Sequence, residues 1–388
     1  MTKTLFILGR QPLIGVAEIE SLFPTENIER IDNKIISLER SFEPNLINRL
    51  GGTVKIAEEI TGINDYSDNL EQLIIKKVSE VIDSLPDGKV NFGISYYGNE
   101  QSVRDIERIA INVKRVIKKT GRSIRIVPNN DLELSSAQIF HNKLTNKTGF
   151  ELIIVQSKNS IRLAKTFSVQ NIESYTARDQ KRPYRDAKIG MLPPKLAQIM
   201  INLCNPSKNS TVLDPFCGTG VILQESLLMG LPVVGTDIDD RMVEYSTNNL
   251  EWLNQKFKNL PSSRVSFGDA TISTWHDEID CVVSEIYLGH PFARTPSLEI
   301  INKENAFVYQ LLYHFLKNIH SQIKPSTKLS LAVPAWRYNN SFIQLSQLDQ
   351  LDKIGYNLMS FKNLNTSDLI YYRPDQIVAR QLLLLTRK

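Results

Sequence analysis

Thr211-Val212-Leu213-Asp214-Pro215-Phe216-Cys217-Gly218-Thr219-Gly220 constrains the fold more than any other stretch of this 388-residue chain. A short apolar run ends on an acid, a loop with two glycines turns, and an apolar helical stretch begins at Val221. Gly218 and Gly220 give access to backbone conformations closed to other residues and let a ligand approach the main chain. The free N–H groups of the following helix suit a carboxylate. A lone G-x-G also fits a dinucleotide site or a plain tight turn. Here Asp214 precedes the glycines, where it suits an ammonium group better than a pyrophosphate, and no third glycine completes the dinucleotide fingerprint. Val233-Val234-Gly235-Thr236 then ends in Asp237, placed to accept from ribose hydroxyls. Gly268-Asp269-Ala270 follows a third strand, where Asp269 can read an adenine amino group. Each acid alone is more often a helix cap or a solvated loop residue. Three of them after three successive strands mark the edge at which open sheets bind ligands.

The remaining pattern organises the chain around this motif. A length of 388 residues implies two or three domains. Strands are expected at 4–8 and 35–38 with a helix at 13–23, then a helix at 70–85, a strand at 90–97, a helix at 103–120, and strands at 123–127 and 150–156. Residues 158–186 lose this periodicity and read as a linker containing Tyr175, Arg178, Asp179, Arg182, Pro183, Arg185 and Asp186. Pro193-Pro194 suits a helix start. Strands and helices alternate from there to the C-terminus, which implies an α/β domain with a mostly parallel sheet covered on both faces. The apolar run after Met1 is too short for a signal peptide and reads as the first strand. No apolar stretch approaches the roughly 20 residues that span a bilayer. Cys204, Cys217 and Cys281 form no CxxC pair and the five histidines show no ligand spacing, so neither a metal nor a disulfide scaffold is expected, and a cytoplasmic setting fits. Cys217 reads as a small packing residue.

The net charge of +4 is mild, but its distribution is uneven. Arg104, Arg108, Lys114, Arg115, Lys118, Lys119, Arg122 and Arg125 fall within one helix and the strand after it, against Asp105 and Glu107. Spacings of three, four and seven put several on one helical face, where phosphates could dock. A solvated surface helix is the plain alternative; Tyr96 and Tyr97 just upstream weigh for nucleic acid.

Several segments together resemble one family. Asp214 to Gly220 is similar to the first cofactor motif of the THUMP-domain RNA guanine-N2 methyltransferases, and the tRNA guanine-10 enzymes are the members it most resembles. The likeness extends to Leu8-Gly9-Arg10-Gln11-Pro12, Phe92 through Gly98, Arg178 through Asp186, Gly190-Met191-Leu192-Pro193-Pro194 and Tyr372-Arg373-Pro374-Asp375-Gln376. It implies an N-terminal ferredoxin-like domain (1–62), a THUMP RNA-binding domain (63–157), a linker (158–186) and a Rossmann-like methyltransferase domain (187–388). It further implies S-adenosyl-L-methionine as cofactor, held by Pro193, Asp214, Phe216, Gly218, Gly220, Asp237, Ile238, Asp269 and Ala270. A tRNA would be the partner, contacted by Arg104, Arg108, Arg115, Lys118, Lys119, Arg182 and Arg185. A monomer or weak homodimer, with no metal and no membrane, is expected.

Enzymes of this type place Asn, Asp or Ser, two prolines and an aromatic residue after the fourth strand. An exocyclic amine shares its lone pair with the ring; acceptors that hold its hydrogens orient that pair, and a stacked ring holds the flipped base. This chain has Ser284-Glu285-Ile286-Tyr287-Leu288-Gly289 there. Ser284 keeps an acceptor, Tyr287 keeps the ring, and both prolines are replaced, leaving the main-chain carbonyls of Glu285 and Ile286. The catalytic candidates are Ser284, Glu285 and Tyr287. The same loop chemistry would serve a guanine in ribosomal RNA or an adenine amino group. A non-catalytic RNA-binding protein that keeps the fold is the reading of another class.

Overall fold

The computed structural model describes residues 2–24, 26–64, 69–157, 160–186, 191–292 and 294–388. They divide into two compact units, residues 1–12, 25–49 and 53–174 in the first and 13–24, 50–52 and 175–388 in the second. Gly190, which opens one of the resembling segments, lies outside the described residues.

The first unit is one sheet of β1 (Thr4–Leu8), β2 (Glu29–Asp32), β3 (Ile35–Leu38), β4 (Thr53–Asn64), β5 (Val90–Tyr97), β6 (Ile124–Ile126), β7 (Gly149–Gln156) and β8 (Ser160–Val169). Their order is β2-β3-β1-β4-β8-β7-β5-β6, antiparallel except that β5 runs parallel to β6 and β7. Between β1 and β2 in sequence comes α1 (Pro12–Leu22), most of which belongs to the second unit. Two helices, α2 (Leu70–Asp83) and α3 (Val103–Lys119), pack Ile74, Val78, Ile82, Ile106, Ile109, Val113 and Ile117 against Phe92, Phe150 and Leu152. These helix positions recur at three and four, so each helix buries one stripe. Ser102 and Asp105 close a reciprocal capping box on α3. A short α4 (Ser136–His141) precedes β7.

Residues 158–186, expected as a linker, contain β8, which lies in the middle of this sheet between β4 and β7. The strand is hard to read because its polar residues have cross-strand partners: Arg162 pairs with Glu59 at 3.1 Å and with Glu29, and the Thr166 hydroxyl donates to Glu151 at 2.5 Å. Charge on this strand therefore does not mean exposure. Glu151 also accepts from Ser95 at 2.5 Å and from the buried ammonium of Lys55 at 2.7 Å, so no member of this interior network lacks a partner.

The second unit continues with the greater part of α5 (Ile172–Gln180), then α6 (Pro194–Cys204), β9 (Val212–Asp214), α7 (Val221–Leu228), β10 (Val233–Asp237), α8 (Asp240–Lys256), β11 (Ser263–Phe267) and β12 (Cys281–Glu285). Then come α9 (Leu298–His320), β13 (Lys328–Tyr338), β14 (Ser341–Ile343), β15 (Tyr356–Leu358), β16 (Ile370–Tyr371) and β17 (Val378–Arg387). The sheet order is β11-β10-β9-β12-β13-β17-β15. Pairs from β11 to β13 are parallel, and β17 is antiparallel to both its neighbours. Alternate residues serve two cores. Val212, Val233, Cys281 and Val283 pack with α6 and α7, whereas Leu213, Val234 and Val282 pack with α9. Such a sheet, covered on both faces, has near-continuous apolar strands. Ile14 and Ala17 of α1 join the first of these cores, and Glu18 is buried there, accepting from the Gly51 and Gly52 N–H groups at 2.9 and 2.8 Å and from Asn202 at 2.7 Å.

Candidate active site

The site lies where β9, β10, β11 and β12 end together. Asp214 closes β9, fully buried, and its Oδ1 accepts from the Ser284 hydroxyl at 2.6 Å and from the Phe216 N–H at 3.3 Å. Burial pushes its carboxyl up to about 7; the two hydrogen bonds oppose this and the nearby acids Asp237 and Glu285 add to it. Among the described residues no cation forms an ion pair with it. The glycine loop then turns with Gly218 at φ +52° and Gly220 at φ +80°. A Cβ on Gly218 would point into open space, so its requirement is conformational. A Cβ on Gly220 would collide with Ser246 of α8, so close packing forbids it as well. Cys217 is buried, which holds its thiol well above the usual range and fits a packing role.

Asp237 ends β10. Its two oxygens accept from the Gly218 N–H at 2.8 Å and the Asp239 N–H at 3.0 Å, which ties the second strand's acid to the glycine loop. Burial raises its carboxyl too. Each oxygen keeps a further lone pair for a hydroxyl. Ile238, 64% exposed, follows it. The Gly268 N–H donates to the Asp237 carbonyl at 3.0 Å, setting Asp269 beside the same edge. One Asp269 oxygen accepts from the Thr271 N–H and hydroxyl at 2.8 and 2.7 Å, and the Ala270 carbonyl accepts from Asn318 at 3.0 Å. Phe216 turns its ring edge-on to Phe315 of α9, and Pro193 caps the start of α6.

The loop after β12 has stiffness from another source than proline. Ile286 is buried and its N–H donates to the Ala332 carbonyl at 3.1 Å. Arg380 of β17, itself buried, donates to the Glu285 carboxylate. Glu285 is thereby committed to an ion pair, and Tyr287 emerges 39% exposed. Ser284 is fully buried with its hydrogen given to Asp214, so the base loop and the acid of the cofactor loop are directly coupled.

The residues that hold this arrangement from behind leave little trace of that role in the sequence. Asn249 of α8 donates to the Thr219 carbonyl at 2.9 Å and the Tyr184 carbonyl at 3.0 Å, and accepts from the Tyr184 N–H at 3.0 Å. Tyr184 stacks on Tyr245 at 4.7 Å. Arg178 forms a buried ion pair with Glu225 of α7 at 2.7 Å. An arginine beside a run of four leucines was the available signal for Arg380; Asn249 gave none.

Of the basic candidates, Arg104, Arg108, Arg115, Lys118 and Lys119 are exposed on α3, opposite its buried stripe. Arg108 pairs with Asp105 at 3.2 Å and Arg115 donates to Asn112 at 3.0 Å. Arg185 is exposed. Arg182 is 3% exposed, with one guanidinium nitrogen on Met191 Sδ at 3.2 Å, so in this arrangement it packs the second unit and cannot reach a phosphate. Tyr96 and Tyr97 are buried as well and offer no stacking surface; their rings serve the sheet's two cores. Arg122 donates to the carbonyls of Ile82, Leu85 and Pro86 at the end of α2.

Residues 182–355 match the family model described as RMKL-like, methyltransferase domain, so the second unit contains a domain of that kind. The chain is 34% identical over 158 residues to a tRNA (guanine(10)-N2)-dimethyltransferase of Methanothermobacter thermautotrophicus, over 41% of this chain and 42% of that protein. That alignment thus spans less than half of the relative. A protein of the same name from Methanocaldococcus jannaschii is 28% identical over 310 residues, 76% of this chain and 84% of the other. The crystal structure of TrmN from Thermus thermophilus superposes over the full length of both chains with a TM-score of 0.54 at 14% identity, a likeness of fold. Among the described residues no helix is long and apolar enough to cross a membrane, and no group of His, Cys, Asp and Glu could hold a metal.

Proposed function

We propose that this chain is an S-adenosyl-L-methionine-dependent methyltransferase acting on the exocyclic N2 of a guanosine in tRNA. The observation that carries the reading is the hydrogen bond from Ser284 to Asp214, which joins a cofactor acid and a base-handling loop in one buried unit. The residues fit the cofactor. A buried carboxylate whose charge is penalised and which pairs with no cation among the described residues suits an ammonium group. The open space in front of Gly218 leaves room for a ligand against the main chain. Asp237 would hold the ribose hydroxyls, Ile238 the face of the adenine and Asp269 its amino group. When bound, the cofactor supplies an electrophilic methyl group. The two relatives' names support tRNA guanine N2 as the acceptor.

This chain's own residues then have three tasks. Tyr287 stacks on the extruded base. The carbonyls after β12 accept from the amine and turn its lone pair toward the methyl group, while the buried Ser284 hydroxyl holds that strand end against Asp214. Arg380, by neutralising Glu285 and tying it to β17, fixes where those carbonyls point. In the first unit, the exposed basic face of α3 meets the tRNA backbone; this unit corresponds to the ferredoxin-like and THUMP parts of the resemblance. Isothermal titration tests the cofactor half: Asp237→Ala should weaken binding roughly tenfold or more, the value of a lost charge-assisted hydrogen bond. Unchanged affinity would remove Asp237 from the site, and no binding by wild-type protein would refute the reading.

A further inference from the structure

Three rings meet outside the end of β12. Tyr287 stands edge-on to Phe307 of α9, centroids 6.0 Å apart at 83°, and edge-on to the His290 imidazole at 6.2 Å and 84°. Phe307 is 58% exposed, and Ile300, two helical turns before it on the same face, is 46% exposed. Between them Glu304 grips the loop that carries Tyr287. Its carboxylate lies 2.8 Å from His290 Nδ1 and accepts from the His290 N–H at 3.3 Å. Gly289, at φ +84°, permits this approach, since a Cβ there would come within 2.8 Å of Glu304 Oε2. Lys303, exposed, lies one turn before Phe307. The loop and the helix face are therefore one surface, in which exposed rings alternate with one lysine and with the hydrogen-bonded His290 and Glu304.

Contiguous exposed apolar side chains mark contact surfaces, and their chemistry here selects the occupant. Two unstacked ring faces beside a lysine suit the π-face of an unpaired base and its phosphate, the pattern of single-strand nucleic-acid platforms. The surface is continuous with Tyr287, so its occupant adjoins whatever Tyr287 holds. We propose that Phe307, His290 and Lys303 form a second base site, which takes the unpaired nucleotide next to the one whose amine is methylated. Glu304 is the positioning residue that holds the His290 side of this ledge. The inference rests on the function proposed above. It adds a requirement to it: the target must be presented with at least one unpaired neighbour, so that the protein selects a local single-stranded context as well as a base.

Steady-state methylation of unmodified tRNA transcripts by full-length protein tests this. Phe307→Ala should lower kcat/KM for tRNA roughly tenfold, the scale of one lost base stack, with cofactor affinity unchanged. Phe307→Tyr should restore the rate and Phe307→Leu should not. Glu304→Ala should mimic Phe307→Ala, with partial recovery in Glu304→Gln, which keeps an acceptor for the His290 N–H. Wild-type kinetics in Phe307→Ala alongside a slow Tyr287→Ala would overturn the ledge and leave the proposed function standing. Equal rescue by Leu and Tyr would also overturn it, because packing without stacking would suffice. So would a change of oligomeric state in Phe307→Ala, which would make the surface a contact between copies. A wild-type protein that transfers no methyl to RNA would remove both readings.

Discussion

Asp214 should make cofactor affinity depend on pH in a way that can be worked out beforehand. Its carboxyl is pushed up to about 7 by burial, against an ordinary value near 4. An ammonium ligand pairs with the ionised form only, so the apparent dissociation constant scales as one plus the protonated-to-ionised ratio. Between pH 7.5 and pH 5.5 it should rise about 25-fold for a group titrating near 7. The stability consequence has the opposite sense. Because the folded-state value is raised, the native protein holds this proton more tightly than the unfolded chain, so stability falls as pH rises from about 4 to about 7. Asp214→Asn removes that slope. The variant should gain melting temperature relative to wild type at pH 7.5, show little gain near pH 4, and bind cofactor weakly and almost independently of pH. Calorimetric titration of the apo protein with S-adenosylmethionine at constant ionic strength, paired with melting curves across the same range, reads both arms. A dissociation constant that moves less than about twofold between pH 5.5 and 7.5 would refute the assignment of Asp214 to the ammonium group.

Two other outcomes follow from the geometry. Arg380→Met should leave the Glu285 carboxylate without its partner and slow methylation with little change in the Michaelis constant for tRNA; Arg380→Met with Glu285→Gln should recover stability relative to Arg380→Met alone, by less than the about 3–5 kcal/mol of a fully buried unpaired charge because Glu285 is only partly buried, as denaturant melts would show. Charge reversal at Arg115 and Lys118 should weaken tRNA binding and flatten its salt dependence by ~1 in slope per lost phosphate contact, leaving cofactor affinity untouched; an unchanged slope in filter-binding titrations would take α3 out of the interface.

Parts of this structure were legible in the sequence for identifiable reasons. The strands β9, β10 and β12 announce themselves because buried parallel strands are uninterrupted apolar runs, and the acids ending β9 and β10 fall one after another at one sheet edge. The helices α2 and α3 show a clean stripe of isoleucine and valine. By contrast β4 and β8 carry Lys55, Glu58, Glu59, Arg162 and Lys165, and only the three-dimensional pairing reveals that Lys55 and Arg162 meet acids across the sheet. The same limit hid Glu18, which reads as a solvent-facing helix residue and in fact satisfies two main-chain N–H groups. At the site, the residue types were visible but their couplings were not. Ser284 and Asp214 lie 70 positions apart, Glu285 and Arg380 lie 95 apart, and no local pattern reports that either pair touches.

The methyl group is expected on guanine N2, and one kind of base substitution in the RNA tests this. A tRNA transcript mixture made with inosine in place of guanosine lacks only that amino group at every candidate position. Incubated with the protein and labelled S-adenosylmethionine, the guanosine transcripts should yield labelled N2-methylguanosine or its dimethyl form on nucleoside analysis, and the inosine transcripts should take up no label. Label on the inosine transcripts, or label recovered in any nucleoside other than a guanosine derivative, would show that guanine N2 is not the acceptor.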